Sequence, residues 1–233
     1  MNILAVGAHP DDLEILCGGT LALYAQKGHA VTMAILTNGN VGRPDTEKEA
    51  MARIRKNETL ASAALIGAKV IWMDVDDEMS EINVEQRLNM VDVFREAKPD
   101  VVLTHSEKDY HVDHRNTSQL VFEAAPLACV HKIERELPEL DKQPLIYHFD
   151  TLGGVGFMPY EYVDISSVIE MKKKMYNCHT SQVDWMREAT GFDIDDVIET
   201  VAKMRGYAAG VQSAEGFIRV DAWYRGTVYR VLP

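Results

Sequence analysis

The sequence predicts a doubly wound α/β fold, in which a mostly parallel sheet carries helices on both faces. Three observations lead to this prediction. Apolar runs rich in β-branched residues recur along the chain, stretches with helical periodicity separate them, and each such stretch is long enough to cross over a sheet. A chain of 233 residues buries a sizeable core without disulfide or metal support, so a single domain covering residues 1–233 is the economical interpretation.

Five apolar runs are predicted to form buried strands. They cover Asn2–Gly7, Ala30–Leu36, Lys69–Met73, Asp100–Thr104 and Leu145–Phe149. Because helical stretches separate the first four of these runs, the strands are expected to lie parallel to one another.

Four helices are predicted in the first part of the chain. They cover Leu13–Lys27, Thr46–Ile66, Val84–Ala97 and His114–His131. The pattern is weaker beyond residue 150, where we expect a short strand at Tyr160–Asp164 and helices beginning at Ser167 and at Ile194. No linker composition separates this last third, which is therefore predicted to extend the same domain.

Charge and apolar content limit the classes of partner. The chain carries 36 acidic and 24 basic residues, a formal charge of -12 that disfavours nucleic acid and anionic lipid. No apolar run approaches the roughly 18 residues of a membrane span, and the first residues lack the basic region of a signal peptide. Three cysteines, an odd number without a CxxC pair, fit a reducing cytoplasm. A small-molecule partner in the cytoplasm is expected.

Two polar clusters follow predicted strands. His9–Asp12 comes directly after the first strand, and His111–His114 follows the fourth after a short loop. Ligands of open parallel sheets bind beyond the carboxyl ends of the strands, so both clusters are expected at the functional edge. A single aspartate at the start of a helix is commonly a cap, but a cap explains neither the second aspartate nor the second cluster.

The residue types of these clusters favour a catalytic metal site. Two imidazoles and one carboxylate form a three-ligand set that suits Zn²⁺ with an open position, and we assign His9, Asp12 and His114 as the ligands. Fe²⁺ remains an alternative, because two histidines and a carboxylate suit either ion.

The remaining members of the clusters suit proton transfer and charge stabilisation. Asp11 is the candidate general base for a water activated by the metal. His111, with its ring held by Asp113, is the candidate that carries positive charge toward a developing oxyanion.

A dinucleotide-binding domain is the competing interpretation of the βαβ opening. The GxGxxG fingerprint is absent, since Gly7 is followed by Ala8 and His9, and Asp12 stands where the third glycine would be. A pair of carboxylates at this position would also repel a pyrophosphate. Nucleotide binding is therefore disfavoured.

Several motifs together resemble the PIG-L/LmbE-like N-acetylglucosaminyl deacetylases. Ala5–Gly39 is similar to the opening of that family, with its HPDD motif and glycine pair. The other similar segments are Arg55–Glu58 (RxxE), Asp109–His114 (HxDH), His179–Gln182 and Ala214–Phe217. The pairing of HPDD with HxDH is a specific signal, whereas the other motifs are weak alone. The departures are Val112, where many members have proline, and an acidic loop at residues 76–78.

The resemblance implies a Rossmann-like, LmbE-like fold and metal-dependent removal of an acetyl group from an amino sugar or its conjugate. It implies the same three zinc ligands and the same roles for the other cluster residues, and it adds Arg55 as a substrate contact. From the residues alone, Arg55 would be interpreted as part of a solvated helix face. The family also implies a homo-oligomer, a trimer or hexamer.

Two other functions stay open from the sequence. The same site chemistry would serve an amide in a thiol-sugar conjugate or another amide substrate. The alternative from a different class is a protein with a vestigial metal site and no catalysis, which the filled catalytic positions disfavour. Away from the clusters, the run Lys172–Lys174 is interpreted as a solvated helix face and His105 as a polar strand terminus.

Overall fold

The computed structural model describes residues 1–222, which form a seven-stranded sheet with helices on both faces. The strands are β1 (Asn2–Gly7), β2 (Ala30–Thr37), β3 (Lys69–Val75), β4 (Val101–Thr104), β5 (Leu145–Phe149), β6 (Glu161–Asp164) and β7 (Ala214–Arg219). The helices are α1 (Asp12–Gln26), α2 (Lys48–Leu65), α3 (Val84–Ala97), α4 (Val112–Leu127), α5 (Ile169–Tyr176), α6 (Thr180–Thr190) and α7 (Ile194–Ala209). Within this part of the chain, every helix is too short or too polar to cross a membrane.

The sheet has the order β3-β2-β1-β4-β5-β7-β6. The first five strands are parallel, and β7 runs antiparallel between β5 and β6. The predicted α/β class with a mostly parallel sheet is therefore confirmed. Because β1 and β4 are neighbours, the chain segments that follow them leave the sheet side by side.

Alternation along the central strand explains why both faces carry helices. Leu4 and Val6 of β1 lie in a core with residues of α3 and α4, whereas Ile3 and Ala5 lie in the opposite core with residues of α1 and α5. Successive side chains of a strand point to opposite faces, so each face of β1 is buried by its own helix layer. This two-sided burial anchors the end of β1, from which the first cluster projects.

Three features of the structure differ from the sequence-based expectations. Helix α4 ends at Leu127 instead of His131, because the next backbone N–H groups, of Cys129 and Val130, bond the carbonyls three residues back, of Pro126 and Leu127, in successive turns. The prediction missed β7, which contains a glycine and a glutamate. It also did not resolve the helix expected from Ser167 into two separate helices, α5 and α6.

The interpretation of Lys172 as a solvated residue is wrong. Its side chain is 4% exposed, and its Nζ contacts Oε1 of Glu215 at 2.5 Å. The Glu215 carboxylate also accepts hydrogen bonds from the backbone N–H groups of Gly19 and Thr20, at 2.9 and 2.8 Å. A buried charge is tolerated only with such partners, so this pair ties β7 to α1 and α5.

His148 of β5 predicts a measurable loss of stability in acid. The side chain is buried, with Nε2 3.3 Å from the Ser118 hydroxyl, and burial lowers the pKa of His148 to about 4. The unfolded chain, with an ordinary histidine pKa of about 6.5, binds more protons below that pH, so protonation favours unfolding. Between pH 7.5 and pH 5, His148 should lower the free energy of unfolding by about 2 kcal/mol. Urea denaturation of wild type and His148→Gln at both pH values measures this contribution as the difference between the two proteins, and parallel pH dependences would contradict it.

Candidate metal centre and active site

The turn after β1 presents the first cluster in a strained conformation. Asp11 has φ 105° and ψ -24°, a region that residues other than glycine rarely adopt, and α1 begins at the next residue, Asp12. The Asp12 carboxylate accepts a hydrogen bond from the backbone N–H of His9 at 2.6 Å. This bond closes the turn and points His9 and Asp12 toward the same space.

Three side chains converge on one point above the ends of β1 and β4. Nδ1 of His9 lies 3.3 Å from Oδ2 of Asp12, Nε2 of His114 lies 3.3 Å from Oδ1 of Asp12, and the two ring nitrogens are 3.3 Å apart. All three side chains are largely buried. The structure thus brings together the three residues proposed from the sequence as metal ligands.

His9, Asp12 and His114 form a triangle of side chains, in which the two ring nitrogens are 3.3 Å apart and each lies 3.3 Å from one of the two Asp12 oxygens. These spacings are compatible with a tetrahedral metal ion. Metal–ligand distances of about 2.0–2.1 Å with tetrahedral angles separate neighbouring ligand atoms by about 3.3 Å. The electrostatics agree with the geometry. Burial opposes charge, yet Asp12 and Asp109 raise the pKa of His114 to about 9, while His114 and His105 hold the pKa of Asp12 well below its usual range. The triangle therefore attracts positive charge, as a cation site must.

The other nitrogen of His9 faces two carboxylates. Its Nε2 lies 3.3 Å from Oδ2 of Asp113 and 3.3 Å from Oδ1 of Asp77. A histidine that binds metal through one nitrogen commonly donates its other N–H to a carboxylate, which fixes the ring. These residues also form a second acidic group, so His9 with Asp77 and Asp113 is an alternative place for a cation.

The expected contact of the Asp113 carboxylate with His111 is not the arrangement in the structure. The carboxylate binds His9, the Ser80 hydroxyl and the backbone N–H of Glu78, the last at 3.0 Å. His111 is held instead by the backbone N–H of Asp113, which donates to Nδ1 at 3.2 Å. His111 is the N-cap of α4, so the start of the helix positions its ring and leaves the carboxylate for His9.

His111 lies beside the triangle and is more solvent-accessible than His9 and His114. Its ring centre is 4.7 Å from those of His9 and His114, and its Nε2 lies 3.3 Å from Oε1 of the exposed Glu78. Because Nδ1 accepts a hydrogen bond from the backbone, the neutral ring carries its proton on Nε2. His111 is thus able to donate a hydrogen bond toward the open side of the site.

Asp11 and Arg55 lie together at the edge of the triangle. The Asp11 carboxylate is outside the group of converging ligand atoms, and Oδ2 accepts a hydrogen bond from Nη2 of Arg55 at 3.0 Å. Burial raises the pKa of Asp11 to about 6, and Arg55 and His179 oppose this rise. The catalytic role of Asp11 and the substrate contact of Arg55 stay predictions.

Three further residues support the site. Oδ2 of Asp109 lies 3.1 Å from Nδ1 of His114, and Asp77 faces His9 as described above. His105 is fully buried, accepts a hydrogen bond from the backbone N–H of Ala8 at 3.0 Å and stacks on His114 with ring centres 3.9 Å apart. The position of His105 directly after β4 was the available signal in the sequence, whereas Asp77 lies on a loop far from both motifs.

The fold and the convergent His/Asp centre together describe an α/β enzyme with its site at the carboxyl edge of the sheet. The profile of the PIG-L family, described as GlcNAc-PI de-N-acetylase, matches residues 4–125, and the chain belongs to this family. It is 31% identical to the diacetylchitobiose deacetylase of Thermococcus kodakarensis over 92% of this chain and 81% of that protein. The recognition of the family from its motifs is confirmed.

Solved structures show the same fold with two different activities. The N,N'-diacetylchitobiose deacetylase of Pyrococcus horikoshii has a TM-score of 0.83 and 26% identity, covering 94% of this chain and 83% of that chain. The 4-carboxy-2-hydroxymuconate hydratase of Pseudomonas putida has a TM-score of 0.82 and 25% identity, covering 98% and 100%. The chain is therefore a member of an enzyme family whose named relatives include hydrolases of amide bonds and a hydratase.

Proposed function

We propose that this protein hydrolyses the N-acetyl group of an N-acetylglucosamine-type amino sugar or its conjugate, with a zinc ion held by His9, Asp12 and His114. The observation that carries the proposal is the approach of two ring nitrogens, 3.3 Å apart, to the Asp12 carboxylate, which has one oxygen 3.3 Å from His9 and the other 3.3 Å from His114. The Asp11 carboxylate beside them belongs to no ligand group among the described residues. Similarity to the deacetylases supports the substrate class.

The protein residues provide the base and the oxyanion donor. Asp11, next to the triangle, accepts the proton of the attacking water. His111 directs its Nε2–H toward the acetyl oxygen as negative charge develops there, and Asp11 or His111 returns a proton to the departing amine. Asp113 fixes the ring of His9 through the contact at 3.3 Å.

The ion supplies chemistry that side chains cannot. When bound, Zn²⁺ is a Lewis acid for the acetyl carbonyl, and it lowers the pKa of a coordinated water to about 7. Zn²⁺ is proposed over Fe²⁺ because a buried set of two imidazoles and one carboxylate suits a tetrahedral ion, although Fe²⁺ accepts the same ligands.

Hydration of a carbon–carbon double bond is the second candidate, because similarity to the hydratase extends over that whole chain. By its name, the substrate of that enzyme carries carboxylate groups. Here the Glu78 carboxylate lies 3.3 Å from His111, and the carboxylates of Asp77 and Asp113 face His9. These carboxylates oppose an anionic substrate beside His9 and His111 and leave an uncharged acetamide unaffected. Together with the similarity to the deacetylases, this favours amide hydrolysis.

The two candidates separate in one assay. Zinc-loaded protein is incubated with N-acetylglucosamine, with N,N'-diacetylchitobiose and with 4-carboxy-2-hydroxymuconate, and free acetate, free amine and loss of the unsaturated acid are measured. We expect acetate and amine in equal amounts and no hydration. Hydration without acetate release would replace the proposal, and inactivity toward every substrate would favour a vestigial site or another amide, such as a thiol-sugar conjugate.

The proposal includes two properties that the family resemblance or the composition implies. These are assembly into a homo-oligomer, a trimer or hexamer, and a cytoplasmic location without nucleic acid or membrane partners. Sedimentation of the purified protein measures the first.

A further inference from the structure

We infer that Glu78 is a specificity-determining residue, whose carboxylate selects amino sugars that carry a free ammonium group near the acetamide that is hydrolysed. The inference rests on the proposed function and adds the charge of the substrate. Glu78 belongs to the acidic loop at residues 76–78, which departs from the pattern of the family. Loops at the rim of a site are where proteins that share one chemistry commonly differ in what they bind.

Solvent exposure places Glu78 at the mouth of the site. The side chains of His114 and His9 are 8% and 14% exposed. Beside them, His111 is 30% exposed and Glu78 is 49% exposed, with Oε1 of Glu78 3.3 Å from Nε2 of His111. Accessibility thus increases from the triangle through His111 to Glu78. A substrate that reaches the triangle from this side passes the carboxylate, and the part that extends outward stays beside it.

The backbone of the acidic loop is tied to α4. The N–H of Glu78 donates a hydrogen bond to Oδ2 of Asp113 at 3.0 Å, and the hydroxyl of Ser80 donates to the same carboxylate. The side-chain amide of Asn116 donates to the carbonyl oxygen of Ser80 at 2.8 Å. His111 is the N-cap of the same helix, so the fold keeps the Glu78 carboxylate within reach of the His111 ring.

The backbone conformation at Glu78 is unfavourable for a residue with a side chain. Its φ is 65°, in the left-handed region that favours glycine. Residues held in this way cluster at sites of function, where the surroundings impose the strain. Within residues 1–222, the side-chain contact found for Glu78 is the one with His111. A role at the site therefore accounts for a carboxylate at a position where glycine would be unstrained.

The charge of Glu78 is available to a substrate. Among the described residues, no lysine or arginine pairs with its carboxylate. Asp77 adds a second carboxylate on the same loop, 3.3 Å from Nε2 of His9. An ammonium group within about 4 Å of a carboxylate near a protein surface is attracted strongly enough to change an affinity about tenfold. An anionic group there is repelled and an uncharged one is unaffected, so the mouth discriminates substrates by charge.

The test compares two substrates that differ by one charge. N,N'-diacetylchitobiose is uncharged, whereas mono-N-acetylchitobiose, used as both of its isomers, carries an ammonium group in place of one acetamide. With zinc-loaded wild type, at one pH below the pKa of the sugar amine, kcat/KM should be higher for at least one charged isomer. Glu78→Gln removes the charge and keeps the shape, so it should lower the ratio of charged to uncharged kcat/KM about tenfold. Added salt should lower this ratio more in wild type than in Glu78→Gln.

Two further variants are matched to Glu78→Gln. Glu78→Gly also removes the carboxylate and suits the positive φ, so it should lose the same preference. Glu81→Gln neutralises an exposed glutamate three positions further along, whose carboxylate accepts a hydrogen bond from Asn83. This control should leave the ratio unchanged. An equal loss of the ratio in Glu81→Gln would overturn the inference, because the overall surface charge would then explain the preference.

Unchanged ratios in both Glu78 variants would also contradict the inference. A fall in kcat of equal size on both substrates would do the same, because it would make Glu78 a positioning residue for His111. Calorimetry on zinc-loaded Asp11→Asn, with and without Glu78→Gln, measures the preference as a ratio of dissociation constants without turnover. A wild type that releases no acetate from either disaccharide would refute the proposed function, whereas the ratio of dissociation constants would still decide the role of Glu78.

Discussion

Replacing Asp11 by asparagine is expected to lower kcat for acetate release by on the order of 10³, with the metal content unchanged. An amide cannot accept a proton from water, and loss of a general base typically costs about 10²–10⁴ in rate. Asparagine is the appropriate replacement because it matches the carboxylate in shape and tolerates positive φ better than most residues. Steady-state kinetics and elemental analysis of the same samples measure both quantities.

Asp12→Asn is the matched control for this prediction. The two aspartates are adjacent, but only the Asp12 carboxylate lies 3.3 Å from the ring nitrogens of both His9 and His114. Asp12→Asn should therefore weaken metal binding, whereas Asp11→Asn should not. Normal turnover by Asp11→Asn would show that another group is the base, and loss of metal from that variant would make Asp11 a ligand.

The principal site was predictable because its residues follow neighbouring strands. His9 and Asp12 come at the end of β1, and His114 comes shortly after β4, so the parallel pairing of β1 with β4 brings distant sequence positions together. The strands themselves were readable because buried parallel strands require continuous apolar runs. Local pattern and sheet geometry thus point to the same three candidate ligands.

The supporting contacts were not readable in the same way. Asp77 reaches His9 from the loop after β3, and Lys172 reaches Glu215 of β7 across the helix layer. Both arrangements depend on long-range packing, which decides whether a charged residue is solvated or paired. Likewise, the sequence around Arg55 predicts an exposed helical arginine. Its burial is visible only in the structure, where Gly39 and Gly42 of the loop after β2 closely approach its side chain.

His114→Ala is expected to abolish both stoichiometric metal binding and acetate release. The substitution removes one of three ligands, and the two that remain cannot hold Zn²⁺ against dilution or a weak chelator. Wild type should contain about one zinc ion per chain, as for other catalytic zinc sites with three protein ligands. His131→Ala is the matched control, because His131 is 85% exposed and its contact is with Glu139. Elemental analysis after dialysis, with acetate assays on the same samples, gives both readouts.

If His114→Ala retained its metal, the ion would be bound at a different site. Nε2 of His9 lies 3.3 Å from the carboxylates of both Asp77 and Asp113, so an ion bound there would not need His114. In that case His114→Ala would keep its metal and Asp77→Asn would lose it. If the ion is held by His9, Asp12 and His114, His114→Ala should lose its metal and Asp77→Asn should keep it. The reason is that Asp77 only orients the ring of His9, while His114 supplies a ligand atom. Thermal melting should show His114→Ala folded, since the two cores that flank β1 do not depend on the ion.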